Sequence, residues 1–214
     1  MAFALPEISR AHFADDISRL SPEPLDERAI DALLAHYREL ALWNRRTNLI
    51  GPGTAGEILS RHYGESLAAL PLLPPGSRRG LDLGSGAGFP GIVLAAAVPE
   101  LEMSLVEARE RKWAFLAAAA RKAALPCPCL NVRVQLPLPA GLPESLDVIT
   151  SRALRLDPET WGALAGRLNA EGRLLIWAGE QDPDLPPELT PCGSIPLVGS
   201  EKRRILAFRH AKRP

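Results

Sequence analysis

The chain has 214 residues, 46% hydrophobic and 23% charged, with 25 basic and 25 acidic side chains and so no formal net charge. That length suits one sizeable core, or one domain with a small extension. Charge balance removes any global pull toward nucleic acid, so such a function must rest on local patches. Aromatic residues make up only 5%, which leaves aliphatic side chains to fill the core. Three cysteines, Cys127, Cys129 and Cys192, make no disulfide framework. Cys127-Pro128-Cys129 lacks the second ligand pair that a metal site needs, so no metal is expected. There is no signal-peptide layout and no apolar run of bilayer length, which points to a cytoplasmic protein without membrane contact.

A short helix is expected around Ile8–Leu20. Ser21-Pro22-Glu23 has the form of an N-cap, a first-position proline and an acidic first turn. From Leu25 onward Ala29, Ile30, Leu33, Leu34, Tyr37, Leu40 and Ala41 recur at helical spacing, and this helix should end near Trp43–Arg46. Thr47–Gly53 reads as a loop by its glycine and proline content. A second helical run, about Ala55–Leu73, carries Arg61, His62, Glu65 and Ser66, and Pro74-Pro75-Gly76 stops it. Residues 1–76 thus form an all-helical extension and residues 77–214 the main domain, the two making one compact unit.

From Gly80 strands and helices alternate. Strands are expected at Gly80–Leu83, Glu102–Val106, Leu130–Val134, Asp147–Thr150 and Gly172–Ala178. Helices are expected at about Pro90–Ala97, Glu110–Ala124 and Pro158–Leu168. Residues 195–198 and 204–209 would close the sheet as a strand pair. Such alternation argues for an α/β sheet with helices on both faces. Trp43, Trp113, Trp161 and Trp177 each lie in an apolar-periodic run and read as packing residues.

The stretch Gly80-Leu81-Asp82-Leu83-Gly84-Ser85-Gly86-Ala87-Gly88-Phe89-Pro90-Gly91 is a strand, a tight turn and a helix start. Glycine permits positive φ and lets a ligand approach the backbone without meeting a Cβ. The helix N-terminus behind the turn presents unpaired N–H groups and a partial positive charge. A nucleotide-type cofactor site at the first β-to-α turn follows. Glu107 closes the next strand, where a carboxylate accepts both ribose hydroxyls of an adenosine. Asp82, in the strand before the turn, would order the glycine loop or face a cationic ligand. A pyrophosphate would find that charge unwelcome, whereas S-adenosylmethionine carries an ammonium and a sulfonium and no phosphate. The D-x-G-x-G-x-G order therefore tilts toward a class I methyltransferase. Three alternatives stay open: an NAD(P)- or FAD-dependent oxidoreductase, a non-catalytic RNA-binding protein on a methyltransferase fold, and a methyltransferase acting on a small molecule or protein.

Trp43-Asn44-x-x-x-Asn48-Leu49, Arg61-His62, Asp82-x-Gly84-x-Gly86-x-Gly88-Phe89-Pro90-Gly91-Ile92 and Ser151-Arg152-Ala153 occur in this order. Together they resemble the RsmG family, also called glucose-inhibited division protein B, the bacterial guanine-N7 methyltransferases of 16S ribosomal RNA. The resemblance covers roughly residues 25–210. It implies a Rossmann-like class I methyltransferase with a mostly parallel seven-stranded sheet, S-adenosylmethionine as cofactor, and 16S rRNA or the small ribosomal subunit as partner; no obligate protein partner is evident in the sequence. It also implies that Asp82, Gly84, Gly86, Gly88 and Phe89 form the cofactor pocket, that Glu107 holds the ribose, that Val134 and Gln135 flank the adenine, and that Arg152 closes the site. The chain departs from the family pattern at Gln135, where an acid is usual, at His62–Ser66, and at Ala178-Gly179, where a lysine-glycine pair is usual.

N7 of guanine has an in-plane lone pair and no proton, so its methylation needs no general base. Alignment and exclusion of water carry the reaction. No acid–base residue is therefore expected; Arg152 and Asn48 would position the acceptor. Asn48, Arg61 and His62 are candidate RNA contacts. The basic run Lys202-Arg203-Arg204, with Arg209, Lys212 and Arg213, either grips phosphates or is a solvated strand edge and tail.

Overall fold

The computed structural model describes residues 4–211. Lys212 and Arg213 of the basic C-terminal run lie outside the described residues. The chain begins with helix α1 (Arg10–Leu20), capped by Ser9, and helix α2 (Glu27–Asn44). The expected cap at Ser21 is a correction: the Ser21 N–H bonds to the Ile17 carbonyl and closes α1, and its hydroxyl donates to the Glu23 carbonyl. The link containing Pro22 and Pro24 then runs to Asp26, whose carboxylate accepts from the Ala29 N–H at 2.7 Å and starts α2.

The second helical run is not one regular helix. It divides into a 3₁₀ segment (Pro52–Glu57), a π-helical turn (Leu59–Gly64), one α turn, α3 (Glu65–Leu67), and a 3₁₀ turn (Leu70–Leu72). Gly53, Gly56 and Pro71 weaken regular helix here. Gly64 backs directly onto α1: a Cβ there would sit 3.2 Å from Leu20.

The remainder is a seven-stranded sheet. Its strands are β1 (Arg79–Leu83), β2 (Glu102–Val106), β3 (Cys129–Leu130), β4 (Leu146–Arg152), β5 (Leu168–Ala178), β6 (Leu189–Pro196) and β7 (Arg204–His210). Their spatial order is β3-β2-β1-β4-β5-β7-β6; β1 to β5 run parallel, and β7 lies antiparallel to both β5 and β6. Helices α4 (Gly91–Ala97) and α5 (Glu110–Lys122) follow β1 and β2, and α6 (Pro158–Ala165) follows β4. The expected strand over Leu130–Val134 pairs only at Cys129–Leu130. Beyond it the Asn131 amide donates to the Glu107 carbonyl, and the chain leaves the sheet along the wall of the cleft described below.

Alternation along the strands sends side chains to two apolar layers. Met103, Leu105, Val148, Leu175, Ile205 and Ala207 join a core built from α1, α2, the 52–72 segment, α4 and α5. Leu81, Leu83, Ile149, Leu174, Ile176 and Phe208 join a second core under Trp161 and Leu164 of α6. The N-terminal helices therefore bury their apolar stripe on the sheet rather than forming a core of their own. Trp161 and Trp177 are buried, and Trp43 and Trp113 half-buried, each with neighbours in the protein.

Candidate active site

The glycine turn joins β1 to α4 at the carboxyl edge of the sheet, where ligands of open α/β sheets bind. Gly84, Gly86 and Gly88 all have positive φ, at 69°, 57° and 86°. At Gly88 closeness matters too: a Cβ would lie 2.7 Å from Ile92 Cδ1 and 2.9 Å from His36 Nε2. The loop is tied from below by Asp82, which is completely buried. Asp82 Oδ2 accepts the N–H of Gly91, the first residue of α4, at 3.2 Å, and Oδ1 accepts the Thr150 hydroxyl at 2.7 Å. Burial raises this carboxyl to about 6, against the opposing pull of Thr150, Ser85 and the Gly91 N–H. Asp82 thus orders the loop and does not face a ligand. It also corrects the expectation of an open helix terminus. A carboxylate of the protein already sits at the start of α4, the place a dinucleotide pyrophosphate would take.

His36 ties the same loop from above. It is buried on α2; a carbonyl can only accept, so Nε2–H donates to the Ala87 carbonyl at 2.9 Å, and Nδ1 accepts the Tyr63 hydroxyl at 2.7 Å. Burial lowers it to about 4, so the ring is neutral in neutral solution. No motif marks His36 in the sequence; the one signal is a polar side chain between Leu33 and Tyr37 on an apolar helix face.

Glu107 follows β2 and is buried. Its Oε2 accepts the Gly86 N–H at 3.1 Å and its Oε1 the Arg109 N–H at 2.8 Å. Each oxygen keeps a lone pair for a further donor, which is what two vicinal ribose hydroxyls require. Glu107 lines an open cleft of about 560 Å³ together with Gly84, Lys112, Val134, Gln135, Arg152 and Leu154. A cleft of this size lies within the roughly 300–1,000 Å³ of small-molecule sites. These residues fit S-adenosylmethionine: a glycine backbone, a rigid carboxylate with spare acceptor capacity and an apolar flank at Val134; the basic side chains Arg109, Lys112, Arg133 and Arg155 line the same cleft. Ala153, with φ 60°, turns the chain sharply after β4, and residues 153–156 form part of the cleft wall.

Phe89 does not line that cleft. It is buried among His36, His62 and Tyr63, at ring separations of 5.2, 5.0 and 4.9 Å. His62, in the π turn, lies over Phe89, and its Nε2 is 3.1 Å from the Thr54 hydroxyl. Burial first, then Arg152 and Arg61, lower it to about 3. Arg152 ends β4 and reaches from the cleft wall into the extension, donating to the Arg61 carbonyl and to Glu65 Oε2, both at 2.9 Å. Asn48 is exposed in the loop after α2; that loop is held by buried Asn44, whose Oδ1 accepts the N–H groups of Leu49 and Ile50 at 3.1 and 3.0 Å. The structure therefore joins Gly84, Glu107, Val134, Gln135 and Arg152 in one cleft, and sets Arg61 and His62 behind Arg152.

The three basic residues of the C-terminal run differ from one another. Lys202 and Arg204 are paired with Glu180 and Asp182 near the surface, and Arg203 turns inward to Glu65. Glu65 was only one letter of a motif in the sequence; its partner Arg203 stands 138 positions away, so no local signal reveals the pair. Cys127 and Cys129 lie outside the site, and burial raises their thiols to about 12 and about 11. Among the described residues no helix is long and apolar enough to cross a membrane.

Known proteins resemble this chain in sequence and in fold. Residues 29–185 match the model of the GidB family, described as rRNA small subunit methyltransferase G. A protein named ribosomal RNA small subunit methyltransferase G from Paramagnetospirillum magneticum is 40% identical over 136 residues, 63% of this chain and 63% of its own length. The chain thus spans just under two thirds of that relative. A protein of the same name from Acidiphilium cryptum is 38% identical over 172 residues, 78% of this chain and 77% of its own. Among solved structures, a SAM dependent methyltransferase from Aquifex aeolicus superposes with a TM-score of 0.55 at 16% identity, over 75% of this chain and 94% of that one, which shows the class I methyltransferase fold. With a family match spanning most of its length, this chain belongs to the GidB family of rRNA small subunit methyltransferase G proteins.

Proposed function

We propose that this chain is an S-adenosylmethionine-dependent methyltransferase that methylates N7 of a guanine in 16S ribosomal RNA. The observation that carries the reading is the cleft at the glycine turn. Glu107 presents two carboxylate oxygens there with spare lone pairs, and Asp82 occupies the helix start that a pyrophosphate would need. That arrangement favours adenosine without phosphates, and family membership supplies the acceptor class.

S-adenosylmethionine supplies an electrophilic methyl group on a sulfonium. The chain's own residues bind and orient. The glycine backbone allows close approach, Glu107 takes the ribose hydroxyls, and Val134 and Gln135 flank the adenine. On the acceptor side Arg152, Asn48, Arg61 and His62 position the RNA. His62 is held neutral, which suits a reaction whose product is a cationic base. Guanine N7 has no proton to lose, so the reaction needs no general base, and the carboxylate beside Arg152, Glu65, is engaged by arginines. If the guanine is stacked or paired it must be turned out before it reaches the cleft. The helical extension and the sheet work as one unit, joined by His36 at the glycine loop and Glu65 at Arg152. The site of action is the cytoplasm, without an obligate protein partner.

The reading is tested by supplying labelled S-adenosylmethionine with naked 16S RNA, intact small subunits or free nucleosides. Label on RNA or subunits supports it. Label confined to nucleosides, or calorimetric binding of NAD in place of S-adenosylmethionine, overturns it.

A further inference from the structure

A second groove lies beyond Arg152, between the π turn, α1 and the loop joining β6 to β7. Its volume is about 480 Å³, and its polar lining is Arg19, Glu57, Ser60, Arg61, Glu65 and Arg203. Three guanidinium groups converge on one buried carboxylate there. Glu65 Oε2 accepts from Arg152 Nη2 at 2.9 Å, Glu65 Oε1 is in contact with Arg203 Nη1, and Arg61 Nε lies 3.3 Å from Oε1. Among the described residues the other carboxylate paired with these arginines is Glu57, mostly exposed, at 3.6 Å from Arg61. Asp16 answers Arg19 at 3.3 Å on the outer rim. The inner cluster thus holds more positive than negative charge.

Two of its polar atoms, Arg61 Nε and Arg152 Nη1, are buried and have no hydrogen-bond partner among the described residues. Like-charge crowding shows in the neighbours as well. After burial, Arg61 is the next cause lowering both Arg152, to about 10, and Arg203; it also helps hold His62 neutral. A buried cluster with surplus guanidinium is completed by an anion, and a planar guanidinium matches phosphate oxygens in paired hydrogen bonds. The groove is reached from the cofactor cleft through a single side chain, because Arg152 lines that cleft and bonds to Glu65.

We propose that this groove is a phosphate subsite, in which Arg203, Arg61 and Arg19 hold a backbone phosphodiester of the acceptor RNA next to the nucleotide being methylated. Glu65 is then a positioning residue that gathers the arginines when RNA is absent and shares them when it is bound. The inference rests on the RNA-acceptor reading above and adds to it the path of the strand.

The test uses the full chain as wild type, Arg203→Ala, Arg203→Lys and Arg19→Ala. RNA affinity is measured across a salt series, S-adenosylmethionine affinity by calorimetry, and thermal unfolding with and without inorganic phosphate. Loss of one phosphate contact reduces the slope of log affinity against log salt by about 1. Arg203→Ala and Arg19→Ala are each expected to show that reduction and a Kd for RNA raised about tenfold, with cofactor affinity within twofold of wild type. Arg203→Lys should keep the slope. Arg19 is exposed, so its variant remains informative should Arg203→Ala fold poorly. Unchanged slopes in both alanine variants overturn the proposal. Protection by inorganic phosphate with unchanged RNA slopes also overturns it, since the site would then serve a free anion. These binding slopes are read without methyl transfer, so the subsite can fail while transfer succeeds, and the reverse.

Discussion

Replacing His36 by phenylalanine separates the loop-anchoring role of this residue from its volume. The ring keeps its place among Tyr63, Phe89 and Phe115, but the Ala87 carbonyl and the Tyr63 hydroxyl lose their partner. Two buried polar groups left unpaired cost about 2–6 kcal/mol in neutral solution. The pH dependence is the sharper quantity. A histidine near 6.5 when unfolded and about 4 when folded must stay neutral in the native state. Its contribution is therefore complete above pH 6.5 and is lost as pH falls toward 4. Proton linkage between pH 7.5 and pH 5 then amounts to about 2 kcal/mol from this one group. Asp82, raised by burial, works in the opposite direction over part of that range, but it is present in both proteins and cancels in the comparison. Urea unfolding at the two pH values gives the answer. The stability lost by wild type on acidification should exceed the loss in the variant by about 2 kcal/mol. Equal losses in the two proteins refute the assignment of His36 as a buried neutral anchor.

Three further substitutions test neighbouring parts of the site. Gly88→Ala forces a Cβ toward Ile92 and His36 at positive φ and should cost about 3 kcal/mol in denaturant unfolding, with cofactor affinity reduced as the loop shifts. Glu107→Gln should weaken S-adenosylmethionine binding about tenfold by calorimetry and leave RNA affinity unchanged, because one charge-assisted acceptor is removed from the cleft. Phe89→Ala should act through the core. A loss of about 3–5 kcal/mol in stability is expected for a ring buried among three others, and a fully stable variant with weakened cofactor binding would contradict the packing described.

What the sequence disclosed was mostly local. The strand before Gly84, the turn, the start of α4 and the acid after β2 are adjacent in sequence, and turn chemistry specifies them. The closing β6–β7 hairpin was legible in outline as two short apolar runs, Ile195–Val198 and Ile205–Phe208, although β6 spans Leu189–Pro196 and so begins well before the expected 195. Phe89 and Asp82 sit in a motif associated with ligand binding, and Asp82 takes the loop-ordering one of its two expected roles; the burial of both is decided by Tyr63, His36 and Thr150, which come from distant segments. Glu65 is similar: its role exists only once β4, β5 and the β6–β7 loop have assembled, with Arg152, Trp177 and Arg203 meeting it from separate places. The broken helix over residues 52–72 shows how weak helical periodicity becomes when glycines allow tertiary contacts to set the backbone. The π turn there places His62 over Phe89 and Arg61 beside Glu65, and turns of this kind recur at functional sites.

The most direct test of the account is chemical detection of N7-methylguanosine in 16S RNA. Small subunits are incubated with S-adenosylmethionine and wild-type protein or Arg152→Ala, and the extracted RNA is reduced with borohydride and cleaved with aniline, which breaks the strand at N7-methylated guanine. The account predicts new scission at one guanine after wild-type treatment, reduced at least a hundredfold with Arg152→Ala. Transfer of the methyl group without scission at any guanine, or no transfer to subunits or RNA, would contradict it.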